Sequence, residues 1–255
     1  MPAIYEQNDL KVGERYTVTS PTVPGWVAVP QVISGTINKS DINATVVYHK
    51  DANGDKIPDE YQITVTYTVE NGAWNDESTA SIKHVLTLTD SNGNYSENGT
   101  ATDADQPQAG QKPNIGYDAT GAWRNPGIPA AFGKSHNDTT YTYAYPIHNY
   151  SLTVHHVFRP VDVDTNKQAK VVEQVTTETR KYQDLLNCNP VTDPRVFGLT
   201  DKYVYAGVKT ADLGEADIEN HRIKDGTTMP ARDVTVYFYY DVDNHGKDPE
   251  NPDNP

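Results

Sequence analysis

The sequence predicts a mainly β protein assembled from tandem modules. Runs of alternating apolar and polar residues recur along the 255-residue chain, the period of strands with one wet and one dry face. Three segments end alike at near-regular spacing, the mark of an array. The aromatic content leans on Tyr, 17 against 4 Phe, and Tyr with Thr suits a pleated surface buried on one side only.

The shared ending comes first. It reads Asp41-Ile-Asn-Ala-Thr-Val-Val-Tyr48, then Asp138-Thr-Thr-Tyr-Thr-Tyr-Ala-Tyr145, then Asp233-Val-Thr-Val-Tyr-Phe-Tyr-Tyr240. The final tyrosines lie 97 and 95 residues apart. In the second copy Tyr141, Tyr143 and Tyr145 share a face. The last two modules also open alike. Tyr61 to Val69 puts Ile63, Val65, Tyr67 and Val69 on one side. Tyr150 to Phe158 groups Leu152, Val154, His156 and Phe158. Between them, Val85 to Thr89 and the Asn92-Gly93 step predict a strand entering a tight hairpin. One short helix is expected from Thr179 to Leu186, where Tyr182, Leu185 and Leu186 fit a helical face and Pro190 limits extension.

These signals divide the chain into a partial module at 1–50, an acidic linker at 51–60, and modules at 61–145 and 146–241. Residues 242–255 hold Asp, Asn, Pro and Gly with almost nothing to bury, and are expected to be a linker. The first module lacks the opening strand of the other two. The modules are expected to form an elongated array.

Net charge is −14 with a pI of about 4.8. That argues against nucleic acid and anionic membranes, whose phosphates need clustered Lys and Arg. It leaves carboxylates available for cations. No apolar run approaches the roughly 18–20 residues that span a bilayer, and Met1 leads straight into Pro-Ala-Ile-Tyr without the pattern of a signal peptide. A single Cys, Cys188, cannot pair within the chain and reads as a buried or incidental thiol.

Here the residues carry a resemblance. Val12-Gly-Glu-Arg-Tyr-Thr-Val-Thr-Ser-Pro-Thr-Val-Pro-Gly-Trp26, Ser34-Gly-Thr-Ile37 and Thr45-Val-Val-Tyr48 resemble the mucin-binding-protein (MucBP) repeat of Gram-positive surface proteins. Residues 61–145 are similar to a repeat of gut bacterial adhesins, through Asn71-Gly-Ala-Trp74, Thr87 to Tyr95, Lys112-Pro-Asn-Ile-Gly-Tyr117 and Gly121-Ala-Trp123. Residues 146–241 resemble the MucBP pattern at their two end strands. The resemblance implies a β-grasp-like (ubiquitin-like) sheet on a secreted, wall-anchored adhesin, with signal and anchor outside this segment. It implies host mucin glycoprotein or its glycan as partner.

The sharpest chemical motif is Asp51-Ala-Asn-Gly-Asp-Lys-Ile-Pro-Asp-Glu60. Asp51, Asn53, Asp55 and Asp59 place side-chain oxygens at alternate positions, and Ile57 offers a carbonyl. A hard cation such as Ca²⁺ collects six or more oxygens in this way. The loop resembles the short calcium loops of thrombospondin type-3 and dockerin-type repeats. It departs from the EF-hand, since Lys56 replaces the usual Gly and Gln62 the bidentate Glu. The bland reading is a solvated turn. Asp243 to Asp248 is a faint echo.

Trp26, Trp74 and Trp123 are the glycan-contact candidates, since a Trp face stacks on a sugar ring and amphipathic aromatics dominate binding surfaces. Each follows turn residues, and a core-capping aromatic would show the same placement. His155 and His156 are adjacent in a strand, point to opposite faces, and so do not read as a joint metal site. Asp162 and Asp164 read as a solvated turn. No nucleophile elbow, zinc motif or phosphate loop occurs, so the chain reads as a non-enzyme. Adhesion leads; a non-binding stalk and an accessory module of an extracellular glycosidase are the alternatives.

Overall fold

The computed structural model describes residues 10–40, 42–108, 112–159, 171–199 and 203–242. Asp41, the Asp162 and Asp164 turn, and the Asp243 to Asp248 echo with most of the C-terminal linker lie outside the described residues. Among the described residues the protein is mainly β, and its only helices are one-turn 3₁₀ segments. The chain forms two compact units interleaved in sequence. Unit 1 takes residues 1–70, 76–109 and 122–143; unit 2 takes 71–75, 110–121 and 144–255.

Unit 1 begins with four short strands, β1 (Arg15–Thr19), β2 (Trp26–Val29), β3 (Val32–Thr36) and β4 (Val47–Lys50). They form two antiparallel ribbons, β1 with β3 and β2 with β4. Only Val27 and Ala28 of their apolar side chains are fully buried. The first shared ending therefore yields just β4, paired with β2. With no opening strand in this stretch, its Val and Tyr have no broader sheet to join.

A four-stranded sheet follows, from β5 (Gln62–Glu70), β6 (Ile82–Thr87), β7 (Ala122–Trp123) and β8 (Thr139–Ala144), in the order β6-β5-β8-β7. The expected alternation of β5 holds: Ile63, Val65 and Tyr67 are buried, and Val69 is half-buried at the strand's end. With Leu86, Leu88, Phe132 and Tyr141 they make the core of this unit. After β6 the chain turns tightly, as the Asn92-Gly93 step predicts. Gly93 sits at φ +83°, Thr89 bridges Tyr95, and the Asp90 carboxylate accepts the N–H groups of Asn92 and Asn94.

Unit 2 carries the second four-stranded sheet. Its strands are β9 (Asn149–Arg159), β10 (Val172–Lys181), β11 (Tyr203–Lys209) and, after the short ribbon of β12 (Ile218–Glu219) and β13 (Arg222–Ile223), β14 (Val234–Val242). The order is β10-β9-β14-β11, with β9 and β14 parallel and the outer pairs antiparallel. In both sheets the shared ending supplies the strand between the opening strand and the third strand. Leu152, Val154, Phe158, Val234, Val236, Phe238 and Tyr240 fill the core, joined by Leu186, Ile223 and Met229. Cys188 is buried there, and desolvation pushes its thiol up to about 12.

The helix expected from Thr179 to Leu186 does not form. Residues 172–181 are strand, in register with β9 from Val172↔Phe158 to Lys181↔Asn149. Thr176, Thr177 and Thr179 are β-branched and favour a pleated surface, and ten paired residues outweigh a weak helical period. Beyond Lys181, Gln183 takes φ +67° and Leu186 N–H bonds Thr227 O. Of the three side chains assigned to a helical face, Leu186 is buried and Leu185 is exposed.

Candidate functional site

The Asp51 loop leaves β4 and returns through the one-turn 3₁₀ segment Asp59–Tyr61 into β5. Asp51 is buried, and its N–H donates to Gly25 O at 2.9 Å. Its carboxylate closes the turn, with Oδ1 accepting Gly54 N–H at 2.8 Å and Oδ2 accepting Lys56 N–H at 3.0 Å. Gly54 and Lys56 both stand at positive φ, 78° and 70°. Gly54 takes that conformation without a Cβ penalty; Lys56 is held in it by the Asp51 bond. Asn53 Oδ1 accepts Asp55 N–H, Asp55 Oδ1 accepts Ile57 N–H, and Asp59 Oδ1 accepts Ala52 N–H. The five residues named for calcium thus share one knot of hydrogen bonds.

Gln62 belongs to the same knot. It is buried, and its Nε2 donates to Asp55 Oδ2 at 2.6 Å while its Oε1 faces Asn53 Nδ2 at 3.4 Å. The sequence motif marks Gln62 only as a departure from a bidentate Glu. Its place twelfth in the loop was the available signal. Partial desolvation pulls the Asp55 carboxyl up, but the bonds from Gln62, Ile57 N–H and Asn53 outweigh it and hold the group below the usual carboxylate range.

The donor set is all oxygen, as a hard cation requires; the carboxylate oxygens of Asp51 and Asp59 keep lone-pair capacity, whereas Asp55 Oδ2 already accepts both Gln62 Nε2 and Asn53 Nδ2. Among the described residues, however, no three His, Cys, Asp or Glu side chains converge as metal ligands would. In this geometry the loop satisfies its carboxylates with N–H donors.

The three tryptophans part company. Trp74 is 2% exposed and presents no ring face to solvent. Trp123, in β7, is half-buried between Tyr67 and Tyr143, edge-to-face at 5.9 and 5.4 Å. Trp26 is 49% exposed. It follows the Pro24-Gly25 turn, its N–H bonding Val23 O at 3.0 Å, and it pairs with Lys50 in the β2–β4 register. Lys50 precedes Asp51, whose N–H bonds the residue before Trp26. The fold therefore brings one glycan candidate, Trp26, beside the calcium candidate.

Aromatic and polar contacts brace the base of this loop. His49 Nδ1 pairs with Glu60 at 2.7 Å, Tyr61 stacks on Tyr95 at 6.0 Å, and Lys134 Nζ donates to Glu60 O at 2.6 Å. His155 and His156 point to opposite faces, as adjacent strand residues must. His155 stacks on Tyr237 at 4.4 Å and bonds Glu173. His156 is buried and bonds Tyr240 Oη at 2.9 Å. No family model matches the chain, and no curated protein matches it. No helix among the described residues is long and apolar enough to cross a membrane.

Proposed function

We propose that this chain is a segment of a bacterial surface adhesin that contacts host mucin glycoprotein through its glycans, with Trp26 and the Asp51–Asp59 loop as the contact site. The observation that supports it is the β2–β4 register, which sets an exposed Trp beside an oxygen-rich loop. An aromatic face stacks on the apolar side of a sugar ring. A Ca²⁺ held by Asp51, Asn53, Asp55, Asp59, the Ile57 carbonyl and Gln62 would stiffen the loop behind it. Binding at each site would be weak, and tandem copies would raise avidity through effective concentration.

A second reading has its own support. The two four-stranded sheets share one strand order, as copies of one β-grasp-like module would, and repeated modules also serve as stalks. Binding of the 255-residue chain to immobilised mucin, intact and deglycosylated, separates the two. The adhesin reading expects saturable binding that deglycosylation abolishes and that Trp26→Ala weakens about tenfold or more, the loss of roughly 1.4 kcal/mol. Trp123→Ala, a packing change, leaves affinity intact in the folded fraction. Binding no stronger than that of an unrelated acidic protein would leave the stalk. Calcium is read separately, since a ligand of the native state must stabilise it, by about 2.7 kcal/mol at a hundredfold excess over Kd. The expected result is a melting temperature higher in Ca²⁺ than in EDTA and unresponsive in Asp51→Ala.

A further inference from the structure

A sheet edge in unit 1 has an unfilled ladder position. β6 is the end strand of its sheet. Leu88 N–H bonds Tyr61 O at 2.7 Å, one step beyond the Gln62↔Thr87 pair. Antiparallel pairing alternates, so Leu86 and His84 also turn their backbone groups toward β5. Lys83, Val85 and Thr87 turn theirs the other way. Thr89 follows the same parity and exchanges bonds on the outer side with Thr100, at 3.1 and 2.9 Å.

At Thr100 the outer strand stops following β6. Ala101 exchanges bonds with Phe132 instead, both at 2.8 Å. Two residues on, the Asp103 side chain, 3% exposed, is pinned by Tyr67 Oη at 2.6 Å and His84 Nδ1 at 2.7 Å. What opens between is a cleft of about 550 Å³ lined by Val85–Thr87, Thr89 and residues 100–105. Its walls are mostly Thr and Ala, and the outward N–H and C=O groups of Val85 and Thr87 stand along one side. That volume lies within the range of ligand sites, roughly 300–1,000 Å³. Val85 to Thr89 spans about 14 Å of extended chain at ~3.4 Å per residue.

We infer that this cleft takes an extended, neutral-to-basic peptide of a partner protein as an added strand beside β6. Backbone bonds to Val85 and Thr87 supply the affinity, as strand addition requires. Small walls admit short side chains. The charge argues for the sign of the guest: Asp105 is exposed at the rim and the chain carries −14 overall, so a second copy or an acidic peptide is repelled. The inference is independent of the Trp26 site.

The test uses the full chain and a ten-residue synthetic peptide of alternating Thr and Val with two Lys. Its companions are a peptide with Glu for Lys and two versions N-methylated at alternate amides, one in each register. Fluorescence anisotropy is expected to show binding of the basic peptide and at least about tenfold weaker binding of the acidic one. One N-methylated register is expected to bind like the parent and the other to fail. Amide exchange is expected to slow at Val85 and Thr87. Thr87→Pro removes an outward N–H, a place where an edge strand tolerates Pro, and is expected to cost about tenfold in affinity with Leu86 exchange unchanged. No binding, equal binding of both N-methylated registers, or binding without protection of Val85 and Thr87 would each overturn the inference. So would protection of those amides by peptide-free mucin glycans. Should Thr87→Pro fail to fold, the N-methylated pair still decides. Peptide binding that survives Trp26→Ala and EDTA keeps this site's outcome separate from that of mucin binding.

Discussion

At the residue scale, His156 shows how one side chain couples the core of unit 2 to pH. Tyr240 Oη accepts Val191 N–H at 2.8 Å, and its own proton finds an acceptor in His156 Nδ1, 2.9 Å away, when the imidazole carries its proton on Nε2. The imidazole must be neutral to receive it. Desolvation, among Phe197, Phe238 and Tyr240, holds its pKa below the ordinary 6.5. Burial likewise pushes the Tyr240 hydroxyl up to about 12, against the opposing Val191 bond. The sign follows from proton counting. Below 6.5 the unfolded chain binds a proton that the folded chain refuses, so stability falls as pH drops through that value toward the folded pKa. The slope is at most about 1.4 kcal/mol per pH unit. His156→Phe leaves Tyr240 Oη without its acceptor and is expected to cost about 1–3 kcal/mol at pH 7. It is also expected to flatten this part of the profile. Urea unfolding at pH 7 and pH 5 checks it, and an equal loss of stability in both proteins would show that His156 is not the coupling group.

At the element scale, the strands legible in the sequence are those with a long alternation of large apolar or aromatic residues. β5, β8, β9 and β14 are of this kind, and Ile63, Tyr141, Leu152 and Phe238 all fell inside as the pattern required. β10 is faint in the sequence because its faces differ little, most of its residues being exposed; the helical expectation over Thr179–Leu186 runs against its last three residues. β11 is hidden in the sequence because it bulges between Tyr205 and Gly207, which breaks the two-residue period. The site was legible in part. Asp51 to Asp59 and Trp26 are visible as types, but nothing local says that Trp26 pairs with Lys50. The β6 cleft left no sequence signal, because it depends on where Thr100 leaves the ladder. One glycine holds that departure. A Cβ on Gly99 would stand 2.5 Å from the Thr89 backbone carbonyl, and backbone cannot step aside as a flexible side chain can. Gly99→Ala is expected to cost about 1–3 kcal/mol. It is also expected to speed exchange of the Thr89 and Thr100 amides, measured residue by residue; unchanged exchange at both would contradict the packing described here.

At the scale of the whole molecule, the recurring endings matter because of where they lie. In each four-stranded sheet the last strand in sequence is an interior strand, flanked by β5 and β7 in one sheet and by β9 and β11 in the other. Each sheet is therefore closed late. In unit 2 the parallel ladder begins with Val234 opposite Leu152, and Ser151 N–H reaches Asp233 Oδ1 across 82 residues. Such long-range pairing demands loop-closure entropy before it returns any contact, which makes folding slow. It also makes β14 indispensable to its unit. Val234, Val236, Phe238 and Tyr240 all lie in the core, and burying four such side chains is worth about 6–12 kcal/mol, comparable with a domain's whole stability of roughly 5–15 kcal/mol. Deleting residues from Asp233 onward is expected to abolish amide protection throughout β9 and β11. Thr235→Ala, which leaves the buried face of β14 intact, is expected to shift stability by less than about 1 kcal/mol. Protection of β9 that survived the deletion would mean that β9 and β10 stand without β14, and that the ending is an addition to the sheet rather than its keystone.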